Sequence, residues 1–141
     1  MRRSTDGGKT WSSMVVIHSE SNATSHVTIG NPAPIVDGET GRVWLFFSRN
    51  NREVGVLWSD DEGLSWSLPQ ELSSSLMKPN GWTSIFTGLN AGISLPRNGT
   101  RHRLIVCCNH DGPEPPKANR YRNRHCHNST TLHLPYTTPR L

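Results

Sequence analysis

The sequence predicts an all-β fold, and three observations carry that expectation. Short apolar runs rich in β-branched and aromatic residues recur through residues 1–110, separated by clusters of Gly, Asn and Asp. No window keeps the 3.6-residue period of an amphipathic helix for three turns. An eight-residue pattern occurs twice, 55 residues apart. The chain has 141 residues, 33% hydrophobic and 18% charged, with a formal net charge of +4. That length suits one domain of about 100–150 residues and excludes a TIM barrel, which needs roughly 200 or more. It is also too short for a complete six-bladed propeller. The apolar fraction is low beside a usual ~45–50%, a figure that includes glycine, so a core is not expected over the whole length.

Taken in order, the elements follow from local pattern. Met14-Val15-Val16-Ile17 is an apolar run after a turn and is expected to be a strand. Val43-Trp44-Leu45-Phe46-Phe47 is a stronger run of residues that favour a pleated surface. Arg49-Asn50-Asn51-Arg52 is a polar connection suited to a hairpin, and Val54-Gly55-Val56-Leu57-Trp58 follows it. Thr83 to Phe86, Ala91 to Leu95 and Arg103 to Cys107 are the later candidates. Asp37-Gly38-Glu39-Thr40-Gly41 and Pro96-Arg97-Asn98-Gly99 read as turns. Glu20, Asp37, Glu39 and Glu53 read as isolated surface carboxylates. A sandwich, a barrel and a propeller all fit this pattern.

The repeat separates those options. Ser4-Thr5-Asp6-Gly7-Gly8-Lys9-Thr10-Trp11 and Ser59-Asp60-Asp61-Glu62-Gly63-Leu64-Ser65-Trp66 share the pattern Ser-x-Asp-x-Gly-x-Ser/Thr-Trp. The carboxylate of Asp6 or Asp61 can accept backbone N–H groups and lock a turn. Glycine permits positive φ where the chain reverses. Trp11 or Trp66 covers the turn with a large apolar face and keeps one N–H to satisfy. Each copy adjoins an apolar run, so the unit is strand–turn–strand, repeated at about the spacing of one propeller blade.

In this form the pattern resembles the Asp-box, or BNR, repeat of the sialidase (neuraminidase) family. The resemblance continues through Gly30-Asn31-Pro32-Ala33-Pro34-Ile35-Val36-Asp37 and Thr40 to Phe47, which are similar to the strand pair between the first two boxes. Gly81-Trp82-Thr83-Ser84-Ile85-Phe86-Thr87-Gly88-Leu89-Asn90-Ala91-Gly92-Ile93-Ser94-Leu95 is similar to the segment after the second box, and Arg103-Leu104-Ile105-Val106 to the next strand. The resemblance implies a partial six-bladed β-propeller over residues 1–110, about two to three blades of four-stranded antiparallel sheet, with boxes at 4–11 and 59–66. It implies a fragment of an exo-α-sialidase, a retaining glycoside hydrolase that releases terminal sialic acids from glycoconjugates. An alternative is a non-catalytic Asp-box propeller module that binds glycan or protein.

In that family a tyrosine nucleophile activated by a glutamate, an aspartate acid/base and three carboxylate-clamping arginines carry the reaction, an exception to the two-carboxylate scheme. A neutral phenol avoids the repulsion that an anionic nucleophile meets beside the substrate carboxylate. None of this set maps onto the chain: the matching positions would precede Met1 or follow residue 110. No catalytic residue is assigned, and the chain alone is expected to be inactive. The resemblance places Asn31, Trp82 and Thr87 at the sugar pocket, and Asp6, Trp11, Asp61 and Trp66 in structural roles. The implied partners are sialylated glycans, glycoproteins or gangliosides.

Composition sets the remaining bounds. Residues 111–141 carry a net charge of +3 against +1 for residues 1–110, together with half of the prolines. They read as a Pro-rich basic tail without regular structure, expected to be disordered. Tyr121 and Tyr136 alone give no stacking platform, so no nucleic-acid partner is expected. His125-Cys126-His127 has no second ligand pair at finger spacing, and no metal or other cofactor is expected. Three cysteines, Cys107, Cys108 and Cys126, give no disulfide framework. No apolar run approaches the ~20 residues of a membrane span, and the polar stretch after Met1-Arg2-Arg3 is no signal peptide. Sequons at Asn22, Asn98 and Asn128 match chance expectation, and the compartment is unassigned.

Overall fold

A computed structural model describes residues 1–88, 90–98, 101–112 and 130–132. Its centre is an antiparallel meander of four strands: β1 (Ile29–Val36), β2 (Val43–Arg49), β3 (Glu53–Ser59) and β4 (Gln70–Glu71), paired in that order. The β2–β3 hairpin closes on Asn50 and Asn51, with φ of 54° and 51°. Two successive left-handed residues match the twist of a tight hairpin, and asparagine tolerates them better than other side chains. Arg49 and Glu53 pair directly at its base. The β1–β2 turn is fixed by Asp37, whose Oδ1 accepts the N–H of Glu39 at 2.9 Å while its carbonyl accepts Gly41 N–H at 2.8 Å. Asp37 is buried. It is thus a turn lock rather than the surface carboxylate expected from the sequence.

Β1 lies at the sheet edge, which lets it carry Pro32 and Pro34. A register shift between Gly30 and Ala33 bulges the strand, with Asn31 at φ 51°. Beyond β4 come α1 (Ser73–Asn80), β5 (Ser84–Thr87), β6 (Ile93–Asn98), β7 (Arg101–Val106), β8 (Cys108–Asp111) and β9 (Thr130–Leu132). They form a two-stranded sheet, β5–β8, and a three-stranded sheet, β6–β7–β9. The core fills the space between these sheets and the meander: Ala33, Ile35, Trp44, Phe46, Val54 and Val56 meet Ile85, Leu104 and Val106. Gly92 lies at the closest approach, where its N–H donates to the Pro34 carbonyl at 3.0 Å.

Several differences from expectation have local causes. Met14 to Val16 form no strand and are exposed, because the N–H of Val15 and its carbonyl pair only with Met1. Helix α1 escapes periodicity analysis because it has only eight residues. Four strands per sheet occur once among the described residues, and the other two sheets have two and three. Thr130–Leu132, inside the tail expected to lack regular structure, pairs with β7. Tyr121, Tyr136 and His125 to His127 lie outside the described residues. No helix among the described residues is long and apolar enough to cross a membrane.

Two tryptophans outside the boxes are also accounted for. The Arg42 guanidinium lies 5.2 Å from the Trp44 ring centre and 5.5 Å from that of Trp58. The same group donates to both carboxylate oxygens of Asp60, at 2.6 and 2.9 Å. A planar guanidinium can stack on rings and fork a carboxylate at once, which an ammonium cannot.

Candidate functional site

The two boxes close with the same hydrogen bonds. In the first, Ser4 Oγ donates to Asp6 Oδ1 at 2.8 Å and accepts Gly8 N–H at 2.7 Å. Thr10 donates its N–H and its hydroxyl to the Asp6 carboxylate at 3.0 and 2.6 Å, and the Trp11 indole donates to the Gly8 carbonyl at 3.1 Å. In the second, Ser59, Asp61, Gly63, Ser65 and Trp66 reproduce each contact, at 2.7, 2.7, 2.8, 2.5 and 3.3 Å in the same order. The unit extends one residue past the tryptophan. Ser12 N–H donates to the Arg3 carbonyl and Ser12 Oγ accepts Arg3 N–H, and Ser67 does the same with Trp58. Serine at the same place in both copies was the available sequence signal for this ninth position. Hydroxyl and backbone donors at Thr10 and Ser65 hold both carboxyls at about 2, below the ordinary 3.8.

The copies differ at one strained position. Gly7 has φ 71°, whereas its counterpart Glu62 has φ 57°. A left-handed non-glycine residue costs about 1–2 kcal/mol. Changing Glu62→Gly removes that strain, returns about 0.4–1 kcal/mol through the freer unfolded chain, and loses a 3.6 Å pair with Arg3 at the surface. The expected net is a rise of about 2 °C in melting temperature. A fall of similar size in thermal melts of the variant counts against the strain argument.

The opposite end of the meander holds the sequence-predicted sugar-facing residues. Β3 leads from there to the second box over seven residues, about 20 Å at 3.3 Å each. Asn31 and Thr87 meet: the Thr87 hydroxyl donates to the Asn31 carbonyl at 2.6 Å. Because that uses its single proton, the 2.9 Å contact between the Ser48 and Thr87 hydroxyls is a donation from Ser48. Ser48 Oγ in turn accepts Thr87 N–H at 2.8 Å. Ser48 and Thr87 are buried, whereas Asn31 is half-buried and donates from Nδ2 to Asn51 Oδ1 at 3.0 Å. Thr87 therefore holds the β1 bulge in place, and Asn31 carries the accessible amide.

Trp82 stands apart, ahead of β5 rather than at its Thr87 end. Helix α1 ends at Gly81, with φ 67°, and Trp82 N–H reaches back to the Met77 carbonyl at 3.2 Å. This is a left-handed glycine cap, and it sets where the indole goes. The His110 ring stacks on Trp82 with centres 4.0 Å apart and planes 12° from parallel. Trp82 lines an open groove of about 560 Å³ together with Glu53, Glu71, Ser73, Ser74, Met77 and Gly81.

Glu20 and Glu53 are not isolated. Arg49 Nε donates to Glu20 at 2.6 Å and Arg49 Nη1 to Glu53 at 3.0 Å, while His18 Nε2 lies 3.1 Å from Glu20. Arg49 accordingly holds the Glu20 carboxyl below its usual range. Sequence reasoning did not single out Arg49 because its partners lie 29 residues before it and four after it. No group of three His, Cys, Asp or Glu side chains suited to a metal occurs among the described residues.

The BNR repeat-like domain family matches residues 1–137. The chain belongs to that family. Membership implies propeller blades, so the meander reads as a blade with its BNR box between the third and fourth strands. The chain is 29% identical over 122 residues to a sialidase of Micromonospora viridifaciens, covering 74% of this chain and 19% of that protein. It also superposes on the solved Hadza microbial sialidase Hz136 with a TM-score of 0.64 and 25% identity, over 77% of this chain and 25% of that one. The chain thus spans about a fifth to a quarter of these relatives. Similarity to sialidases extends over that part.

Proposed function

We propose that the chain is a portion of an exo-α-sialidase propeller, about two to three of six blades, from a retaining hydrolase of terminal sialic acids. The observation that carries this reading is the pair of BNR boxes closed by the same contacts, in a chain whose relatives are sialidases. The boxes brace the outer turns. The opposite end, with Asn31 on the Thr87-anchored bulge and Trp82 beside its groove, faces sialylated glycans. The chemistry belongs to parts of the domain that residues 1–110 do not supply, so this chain binds and does not turn over.

A fluorogenic sialoside incubated with the purified chain is expected to release no fluorophore. Saturation-transfer NMR with 3′-sialyllactose is expected to show contact that Asn31→Ala weakens. Turnover overturns the assignment of chemistry elsewhere, and no contact at all overturns the glycan-facing end.

A further inference from the structure

We infer that Asn51, at the tip of the β2–β3 hairpin, is a positioning residue for Asn31: it fixes which way the Asn31 amide presents itself to a glycan. The inference rests on the glycan-facing reading above and adds what gives the accessible amide a defined direction.

Asn31 is held at two points. Its main chain is fixed by Thr87, whose hydroxyl donates to the Asn31 carbonyl at 2.6 Å. Its side chain has a single tie among the described residues, from Nδ2 to Asn51 Oδ1 at 3.0 Å. That tie crosses 20 residues of sequence and joins the β1 bulge to the hairpin tip. A half-buried amide has several rotamers open to it and two ends to offer, a carbonyl that accepts and an amino group that donates. One hydrogen bond of fixed direction removes the choice.

A positioning residue has to be stiffer than the group it positions, and the tip is tied on both sides. Asn50 N–H donates to the Thr28 carbonyl at 2.8 Å, and Asn50 Oδ1 accepts Thr28 N–H at 2.9 Å, just ahead of β1. Arg52 N–H donates to the Arg49 carbonyl at 3.1 Å across the turn. The Arg52 carbonyl accepts Ile85 N–H at 3.1 Å from β5, the strand that ends at Thr87. The two tip asparagines therefore divide their roles. Asn50 directs its side chain to backbone, whereas Asn51 is exposed and gives its oxygen to Asn31.

With Asn51 as the acceptor, Asn31 keeps its carbonyl oxygen and one N–H in a fixed arrangement for a ligand. Without the tie those atoms are still present but rotate, and binding has to order the side chain again. That ordering corresponds to about three- to tenfold in affinity.

NMR spectra of the side-chain amides, with saturation-transfer titrations of 3′-sialyllactose, test this on the full chain. Asn51→Gly removes the acceptor yet suits the left-handed tip, so its melting temperature should stay within about 3 °C of the parent. The Asn31 amide signals should move, and sialyllactose should weaken about three- to tenfold. Asn51→Asp can only accept, so the Asn31 signals should stay near their parent positions. That variant is read by its spectrum alone, because its charge also repels a sialate. Asn31→Ala combined with Asn51→Gly should bind no worse than Asn31→Ala, since Asn51 acts through Asn31. Unchanged affinity in Asn51→Gly, a further loss in the double variant, or Asn31 signals displaced by Asn51→Asp overturns the positioning role. Weakened contact in Asn31→Ala would still leave the glycan-facing reading standing. An Asn51→Gly chain that melts well below the parent assigns its loss to folding and overturns the role too. A parent that makes no contact with sialyllactose overturns both.

Discussion

Replacing Gly92 by alanine is expected to lower the melting temperature by about 10 °C, equivalent to about 3 kcal/mol at the upper end of overpacking costs. A methyl group there would sit 2.4 Å from Ile35 Cδ1 and 2.6 Å from the Ile105 carbonyl oxygen. The first contact could relax by a rotamer change, but the second is backbone within β7, held by pairing to both β6 and β9. Gly92 also donates to the Pro34 carbonyl, so moving it away loosens the junction between the meander and the β6–β7 sheet. Gly55 gives a useful contrast. A methyl there would meet the Phe47 ring at 2.5 Å, yet the atoms it would meet are the far end of a side chain rather than backbone. Gly30→Ala is the control, because nothing lies within 4 Å of the added carbon. The double variant Gly92→Ala with Ile35→Ala should recover little, since the carbonyl clash remains and Ile35 itself is lost from the core. A Gly92→Ala melt within about 2 °C of the parent would sink the close-packing account.

How much of this was legible in the sequence depends on the range over which each feature is determined. The eight-residue boxes were legible because the bonds inside them span at most four residues and the residue types name their own partners, whereas the closing serines Ser12 and Ser67 bond across nine residues. The β2–β3 hairpin was legible for the same reason, with asparagines where left-handed residues are required. Met14 to Ile17 misled because apolar content predicts a strand only when a partner edge is present. Helix α1 was missed since two turns carry too little periodicity, although Gly81 at its end is a cap signal.

The site was less legible than the fold, again for reasons of range. Asn31 and Thr87 are 56 residues apart, and only the resemblance put them on one edge. It could not assign their roles, which depend on where one hydroxyl proton goes. Trp82 shares a segment with Thr87, yet the glycine cap directs it to a separate groove. Glu20 looked like a lone carboxylate because nothing near it in the chain announces Arg49. The division that results is physical. Short-range contacts fix the boxed end of the meander, and long-range polar contacts shape the end proposed to meet glycan.

Acid is expected to open both boxes, and only at low pH. Their carboxyls are held at about 2, against an ordinary 3.8, by the hydroxyls and N–H groups of Thr10 and Ser65. A value depressed in the folded chain means that ionisation favours folding, so the stabilisation is complete above about 3.8 and drains away as pH falls toward about 2. The indole N–H groups of Trp11 and Trp66 report the event, because each donates to a glycine carbonyl inside its own box. Their NMR resonances should hold still from pH 7 to 4 and shift between 4 and 2. The second box should resist longer, since Trp66 is half-buried and Met1 packs on Gly63, whereas Trp11 is 59% exposed. Glu20 also sits below its ordinary value and releases Arg49 as it protonates, so the global melt will broaden from the acid side as well. The indole signals separate the two events. Asp61→Asn keeps the shape of the side chain but removes its charge and one acceptor oxygen, so the Trp66 indole should already lie near its acid position at pH 7, with Trp11 unmoved. Indole resonances that shift above pH 5, or an Asp61→Asn spectrum matching the parent at neutral pH, would show that something other than these carboxylates locks the turns.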